Sequence, residues 1–348
     1  MMWFRGNIEN LSPYVPGIQP KEPGFVKLNT NENPYPPSPR VADLLRNLSP
    51  ADLRLYPDPL SNRLRDAIAA LHGLERGNVI VGNGSDEILA MIFKAGVGKG
   101  DRVVLYYPSY TLFKVLAEIQ EAEVIEYDLA EDFSLPEAFI SAPAALKLIA
   151  SPNSPTGTHY PLEAIDRILE ATEGIVVVDE AYVDFAEGDS LPLLDKYPNL
   201  VVTRTVSKSF SLAGVRIGYA LAPEEVIAGL MKVKDSYNVN RVSAAIAGAA
   251  LSDREYFAEI VGKIRDQREK LRRDLEILGF SVFPSGANFL LARAPGGRAR
   301  EIYEKLLARK ILVRYFDLPR LSDCLRISVG TPAEMTILLD ALRDILRS

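Results

Sequence analysis

Lys208 stands between Ser207 and Ser209 at the end of an apolar run, and Arg216 follows one short loop later. A lysine taken partly out of water loses its proton readily, and the free amine attacks an aldehyde. Hydroxyls and a guanidinium beside it suit a phosphate pocket next to a Schiff-base nucleophile. A surface lysine after a strand is the commoner meaning of the residue type, so the neighbouring segments must decide.

Val176-Val-Val-Asp-Glu-Ala-Tyr182 sets Asp179 directly after a buried apolar run. In an open α/β sheet, ligands sit at the carboxyl ends of strands. Asp179 is therefore expected to face that crevice, with Tyr182 in reach of the same pocket. A buried carboxylate needs a positive partner, and a pyridinium nitrogen is one; a structural ion pair is the plainer alternative.

Gly82-Asn-Gly-Ser-Asp86 joins a strand to a helix, where free backbone N–H groups of Gly84, Ser85 and Asp86 can hold a phosphate. A dinucleotide fingerprint fails here, because Glu87 occupies the place of its third glycine. Tyr110, in Tyr107-Pro-Ser-Tyr110, can lay its ring on a planar cofactor, or simply pack in the core. The loop Ala150-Ser-Pro-Asn-Ser-Pro-Thr-Gly157 is stiffened by two prolines and offers Asn153 and Ser154 to a ring oxygen, unless it is a plain turn.

These groups need a scaffold that presents strand ends. Val79–Val81, Arg102–Tyr107, Glu123–Tyr127, Leu146–Ala150, Ile175–Val178, Val201–Thr203 and Ile217–Leu221 read as strands. Helices are expected at Asp86–Lys94, Tyr110–Gln120 and Leu162–Thr172 between them. Val/Ile runs separated by helices predict an α/β fold with a mostly parallel sheet covered on both faces. Before it, Val41–Leu48 reads as a short helix, and Ser61 is expected to cap another from Asn62 to Leu71. The first forty residues are rich in Pro, Asn and Gly and predict an extended arm. Ser243 to Leu278 reads as one long helical region ended by Gly279. Strands at Phe280–Phe283, Phe289–Ala292, Ile311–Val313 and Leu325–Ser328, with helices at Ala299–Arg309 and Ala333–Arg347, predict a smaller α/β domain. The expected division is 1–40 arm, 41–240 large domain and 241–348 small domain.

Composition narrows the class. The formal net charge is −6 over 348 residues, with no basic block, which argues against nucleic acid as partner. No apolar stretch approaches the roughly 18 residues of a membrane span, and the N-terminus lacks the apolar core of a secretory signal. One cysteine, Cys324, excludes an internal disulfide and fits a reducing, cytoplasmic home. With only two histidines beside it, a Cys/His metal site is not expected. A small-molecule enzyme or binder remains.

Taken in order, Gly84-Ser-Asp86, Ser151-Pro-Asn-Ser-Pro-Thr-Gly157, Asp179-Glu-Ala-Tyr182 and the Lys208 segment resemble the fold-type I pyridoxal phosphate enzymes. Leu28-Asn-Thr-Asn-Glu-Asn-Pro-Tyr35, Leu55-Tyr-Pro-Asp-Pro59 and Cys324-Leu-Arg-Ile-Ser-Val-Gly330 resemble the histidinol-phosphate aminotransferases among them. That resemblance runs from the Ser12–Gly17 arm to Gly330. It implies a mostly parallel seven-stranded sheet, pyridoxal 5'-phosphate on Lys208, and Asp179 at the pyridine nitrogen. Tyr182 would bond the ring oxygen and Tyr110 would stack on the ring. Ser207, Ser209, Arg216 and the backbone of Gly84, Ser85 and Asp86 would hold the phosphate. Ser154 stands where the family often has Asn, so Ser154 or Asn153 supplies the ring-oxygen contact, or Tyr182 acts alone. A homodimer is implied, with active sites at the interface and Tyr56 reaching the neighbouring subunit's cofactor phosphate. Tyr14, Asn31, Arg314 and Arg326 would meet the substrates, histidinol phosphate and 2-oxoglutarate or glutamate, since guanidinium grips phosphate and carboxylate alike. Competing readings are an aromatic amino acid aminotransferase, a threonine-phosphate decarboxylase, and a non-catalytic cofactor-binding regulator; the last wants a DNA-binding module that no stretch here supplies.

Overall fold

The seven apolar runs pair into one sheet in the computed structural model, which describes residues 3–347. In chain order the strands are Val26–Lys27 (β1), Val79–Gly82 (β2), Arg102–Tyr107 (β3), Glu123–Asp128 (β4), Leu146–Ala150 (β5), Ile175–Asp179 (β6), Leu200–Thr205 (β7), Gly218–Leu221 (β8), Ser281–Val282 (β9), Phe289–Arg293 (β10), Ile311–Leu312 (β11), Arg314–Tyr315 (β12) and Cys324–Ser328 (β13). The large sheet has the order β2-β8-β7-β6-β5-β3-β4. β8 runs antiparallel to both its neighbours and every other pairing is parallel. β5, β7 and β8 are buried throughout. Both faces are covered, as their unalternating apolar composition demands. Helices Ser85–Gly96, Leu112–Ile119 and Glu224–Met231 pack on one face. Helices Asn62–His72, Leu162–Glu170 and Arg241–Leu251 pack on the other. Leu162–Glu170 shows why: Ile165, Ile168 and Leu169 fall on one stripe and are buried.

Three local expectations are corrected. Ser61 does precede the helix Asn62–His72, but at φ +48° its hydroxyl makes no capping bond. The Asp58 carboxylate accepts from Asn62 N at 2.7 Å instead. The long helical region is two helices, Arg241–Leu251 and Arg254–Ile277, because Asp253 caps the second by accepting from Tyr256 N. Gly279 follows the second helix at φ +87°, the left-handed turn that glycine takes freely. The strand expected at 311–313 stops at Leu312: β11 pairs with β1 from the arm, and a separate strand after Val313, β12, pairs with β13.

The end of the arm thus joins the small unit. β1 lies parallel to β11, and Leu28 is buried among Leu290, Ile327, Leu338 and their neighbours in the small core. The small sheet, β12-β13-β10-β9, is antiparallel, with helices Arg254–Ile277, Ala299–Ala308 and Pro332–Arg347 contributing to its core. Near the chain start the arm also forms one helical turn, Gly6–Glu9, tied to the large unit by Asn7 Nδ2 donating to Glu118 O at 3.0 Å. Residues 28–33 then thread between the two units. Asn31 N donates to Ser328 Oγ at 3.0 Å, and the Asn33 side chain donates to Lys208 O at 3.0 Å.

Candidate active site

A cavity of about 750 Å³ opens at the carboxyl ends of the parallel strands, between the large sheet, the arm and the small sheet. Lys208, Asp179, Tyr182, Tyr110, Ser207 and Arg216 line it, as do Ser85 and Asp86, Tyr14, Asn31, Ser154, Arg314 and Arg326. β7 ends at Thr205, and the turn that follows delivers Lys208 to the cavity. Its Nζ donates to Thr30 O at 3.2 Å and lies 5.5 Å from the centre of the Tyr182 ring.

Asp179 is the last residue of β6, where the sheet stops supplying apolar neighbours. Its carboxylate accepts from Thr203 Oγ1 at 3.0 Å, and burial pushes its pKa up to about 7. A fully buried carboxyl with so little compensation is a seat for a positive partner. The Tyr182 hydroxyl accepts from Asn31 Nδ2 at 3.0 Å, and its ring meets Phe289 edge-on at 5.2 Å.

At the other strand end, Gly84 precedes the helix Ser85–Gly96 with φ 88° and ψ 163°. A helix leaves its first N–H groups without intrahelical partners, and they attract anions. A Cβ on Gly84 would lie 2.3 Å from Arg216 Nη2, so the absent side chain makes room for the guanidinium. Arg216 and Tyr110 converge on the Asp86 carboxylate, each at 3.1 Å. The Ser207 hydroxyl accepts from Thr205 Oγ1 at 2.9 Å. Backbone N–H groups, a hydroxyl and a guanidinium around one small-residue turn fit a phosphate monoester. Together with Lys208 and the buried Asp179, they fit pyridoxal phosphate.

The third cluster joins the two units. Arg326, on β13, donates to Ser154 Oγ at 2.9 Å and to Asn29 O at 2.9 Å. Its Nε is buried without a partner, and burial lowers the guanidinium pKa. Such an orphan donor in a cavity is suited to an anionic ligand. Arg314 reaches the arm carbonyls of Val15 at 3.3 Å and Pro16 at 3.4 Å. The Tyr14 ring meets Tyr110 edge-on at 5.4 Å.

Three expected site residues lie behind the wall. Asn153 is fully buried and its amide is used within the loop region, donating to Pro108 O at 3.0 Å and Thr156 Oγ1 at 2.9 Å. Ser154, not Asn153, faces the cavity, and its hydroxyl serves Arg326. The Ser209 hydroxyl turns to the Asp184 carboxylate. Gly84 shapes the turn without lining the cavity. Tyr56, expected at the neighbouring subunit's cofactor and not at this cavity, is 77 % exposed and stacks on Tyr237 at 4.6 Å. Sequence reasoning missed Thr30, Asn33 and Thr203, whose contacts to Lys208 and Asp179 depend on strand register and arm path. It also missed Phe316, over which Arg314 sits at 5.1 Å and Arg326 at 5.5 Å. Among the described residues no group of three His, Cys, Asp or Glu side chains can hold a metal, and no helix is long and apolar enough to cross a membrane.

Residues 23–342 match the family model of aminotransferase class I and II. The chain is 44% identical over 347 residues to histidinol-phosphate aminotransferase 1 of Trichormus variabilis, covering 99% of each. It is 45% identical over 343 residues to the histidinol-phosphate aminotransferase of Syntrophotalea carbinolica, covering 98% of this chain and 99% of that one. Among solved structures, histidinol-phosphate aminotransferase from Sinorhizobium meliloti in complex with pyridoxal-5'-phosphate superposes with a TM-score of 0.91 at 28% identity, covering 100% of this chain and 98% of that one. With its strand-end lysine, buried aspartate and glycine turn, this chain belongs to the class I and II aminotransferases, within them to the histidinol-phosphate aminotransferases, and is a pyridoxal phosphate-dependent enzyme.

Proposed function

We propose that the protein transfers the amino group of histidinol phosphate to 2-oxoglutarate, releasing imidazole-acetol phosphate and glutamate, a step of histidine biosynthesis. The observation that carries this reading is one cavity holding Lys208 and Asp179 together with the guanidinium groups of Arg314 and Arg326. Full-length identity to relatives bearing that name supports the choice of donor. Histidinol phosphate has no carboxylate, so its phosphate takes the place where glutamate puts one, and one anion site serves both half-reactions.

When bound, pyridoxal phosphate supplies an aldehyde for the substrate amine and a protonated ring that accepts the electrons left by the departing α-proton. The chain's own groups do the rest. Ser85 and Asp86 N–H, Ser207 and Arg216 bind the cofactor phosphate. The Asp179 carboxylate holds a proton at the ring nitrogen, and the Tyr182 hydroxyl bonds the ring oxygen. The Lys208 amine takes the proton from the substrate α-carbon and returns it one position along. Arg326 and Arg314 orient the anionic end of either substrate, with Tyr14 and the arm excluding water. We further propose a cytoplasmic homodimer in which Tyr56 serves the neighbouring subunit.

The test is to mix holoenzyme with histidinol phosphate, phenylalanine or threonine phosphate and follow the cofactor's visible absorbance. Rapid bleaching by histidinol phosphate, reversed by 2-oxoglutarate with glutamate released, is expected. Carbon dioxide from threonine phosphate without any oxo acid would replace this reading by the decarboxylase.

A further inference from the structure

Thr203 is a hydroxyl placed in an apolar strand. β7 begins Leu200-Val-Val, and Thr203 follows with 0% exposure. A buried hydroxyl is costly without a partner. In the parallel register Thr203 sits directly opposite Asp179 on β6, so the two side chains stand next to each other on one face of the sheet. The Thr203 hydroxyl donates to Asp179 Oδ1 at 3.0 Å. Its branched Cβ restricts χ1, which fixes the donor's direction.

We propose that Thr203 is a positioning residue for the transamination: its hydroxyl fixes the Asp179 carboxylate in the orientation and charge state required at the cofactor's ring nitrogen. This deepens the proposed function and rests on the role given there to Asp179. The neighbourhood explains why a donor is needed. Burial is the main force driving Asp179 toward its neutral form, and the Asp86 carboxylate from helix Ser85–Gly96 and adjoining Glu180 add to it. The Thr203 hydroxyl and the Ala181 N–H oppose them. Tyr106 of β3 is electrostatically coupled to Asp179, and Lys208 and Tyr182 share the cavity. Of the two opposing donors, Thr203 is the one a side-chain substitution can remove. A neutral Asp179 would no longer hold the ring nitrogen protonated, and that ring would accept electrons poorly.

The experiment compares holoenzyme carrying Thr203→Val, which keeps the shape, with Thr203→Ser, which keeps the donor, and with Asp179→Asn. The acid limb of kcat/KM, the rate at which cofactor leaves the protein, and the thermal midpoint are read for each. Thr203→Val should move the acid limb up by about 1 pH unit, the scale of one hydrogen bond to a charged group. It should also speed cofactor loss roughly tenfold on the same scale, and Thr203→Ser should restore both. An unmoved acid limb and unchanged cofactor loss in Thr203→Val, while Asp179→Asn is crippled, overturns the proposal, even if the thermal midpoint falls. Should Thr203→Val not fold, Thr203→Ala is read by the same two criteria. An Asp179→Asn protein as active and retentive as wild type would instead overturn the role of Asp179.

Discussion

Asn31 donates its side-chain amide to the Tyr182 hydroxyl at 3.0 Å, joining the arm to the cofactor end of the large sheet. Its Oδ1 accepts from Ser328 Oγ at 2.9 Å, so the same side chain also holds the small unit. Asn31→Ala removes a donor from Tyr182 and the bridge between units together. We expect kcat/KM to fall about tenfold, as the loss of one buried hydrogen bond implies, for phosphate and carboxylate donors alike. Single-turnover absorbance with each donor checks it, and a loss confined to one donor would place Asn31 at the substrate instead.

Lys208→Ala removes the cavity amine that lies beside the Tyr182 ring; a second amine, Lys114, lines the same cavity from the helix Leu112–Ile119. Turnover should disappear while the apoprotein still binds pyridoxal phosphate through the glycine turn and Arg216. Borohydride reduction of the wild-type holoenzyme, followed by peptide mass spectrometry, should find the pyridoxyl group on Lys208. A label on Lys114 would transfer the role.

Asp179 gives the apoprotein a pH signature. Its folded pKa, pushed up by burial to about 7, stands above the ordinary 3.8. The unfolded chain therefore releases its proton first as pH rises, and folding stability falls between about pH 4 and about pH 7, then levels off. A cationic ring nitrogen relieves the penalty. The difference in thermal midpoint between holoprotein and apoprotein should widen from about pH 5 to about pH 8, and Asp179→Asn should flatten the apoprotein's slope. Calorimetry showing a gap independent of pH would mean that Asp179 is already ionised without the cofactor.

Arg326→Lys keeps the charge but loses the planar fork that reaches Ser154, Asn29 and, through Nε, the cavity. The expected result is a rise in KM for histidinol phosphate and for glutamate by at least about tenfold, one charge-assisted bond's worth. Ser154→Ala, which frees one guanidinium nitrogen without removing it, should cost several times less. Equal effects would show that Ser154 itself touches the ligand.

Strand and helix positions in the large sheet were legible because buried parallel strands are near-continuous apolar runs and the intervening helices carry turn signals at their ends. Lys208, Asp179 and Gly84 were legible for a related reason: each sits where such a run stops. What stayed hidden depends on register and chain path. Thr203 looks like any strand threonine until β6 and β7 are aligned. Thr30 and Asn33 belong to an arm whose route between the two units has no periodicity to read. Asn153 and Ser154 are adjacent and both polar, and only the fold of the loop decides which side chain turns inward. The helix Glu224–Met231 was missed although Pro223 and two glutamates in its first turn announce it.

Gly84→Ala tests the phosphate turn. The backbone at φ 88° and ψ 163° lies in a region that is essentially glycine's own, and another residue there costs about 1–3 kcal/mol. The added methyl would also fall 2.3 Å from Arg216 Nη2. Arg216 is a flexible side chain and can withdraw, so the protein should still fold, with a lowered thermal midpoint. Withdrawal takes the guanidinium away from the helix start, and relaxation of the strained turn re-aims the Ser85 and Asp86 N–H groups. Both changes act on the phosphate and neither acts on Lys208. Cofactor affinity should therefore drop at least about tenfold, while saturating pyridoxal phosphate restores most of kcat. Gly218→Ala makes the stricter neighbour: its methyl would meet Ser85 N at 2.2 Å, backbone that cannot step aside. It should lose both affinity and stability. Fluorescence titration of each apoprotein with pyridoxal phosphate measures this, and an unchanged affinity in Gly84→Ala would mean that the phosphate does not sit on this turn.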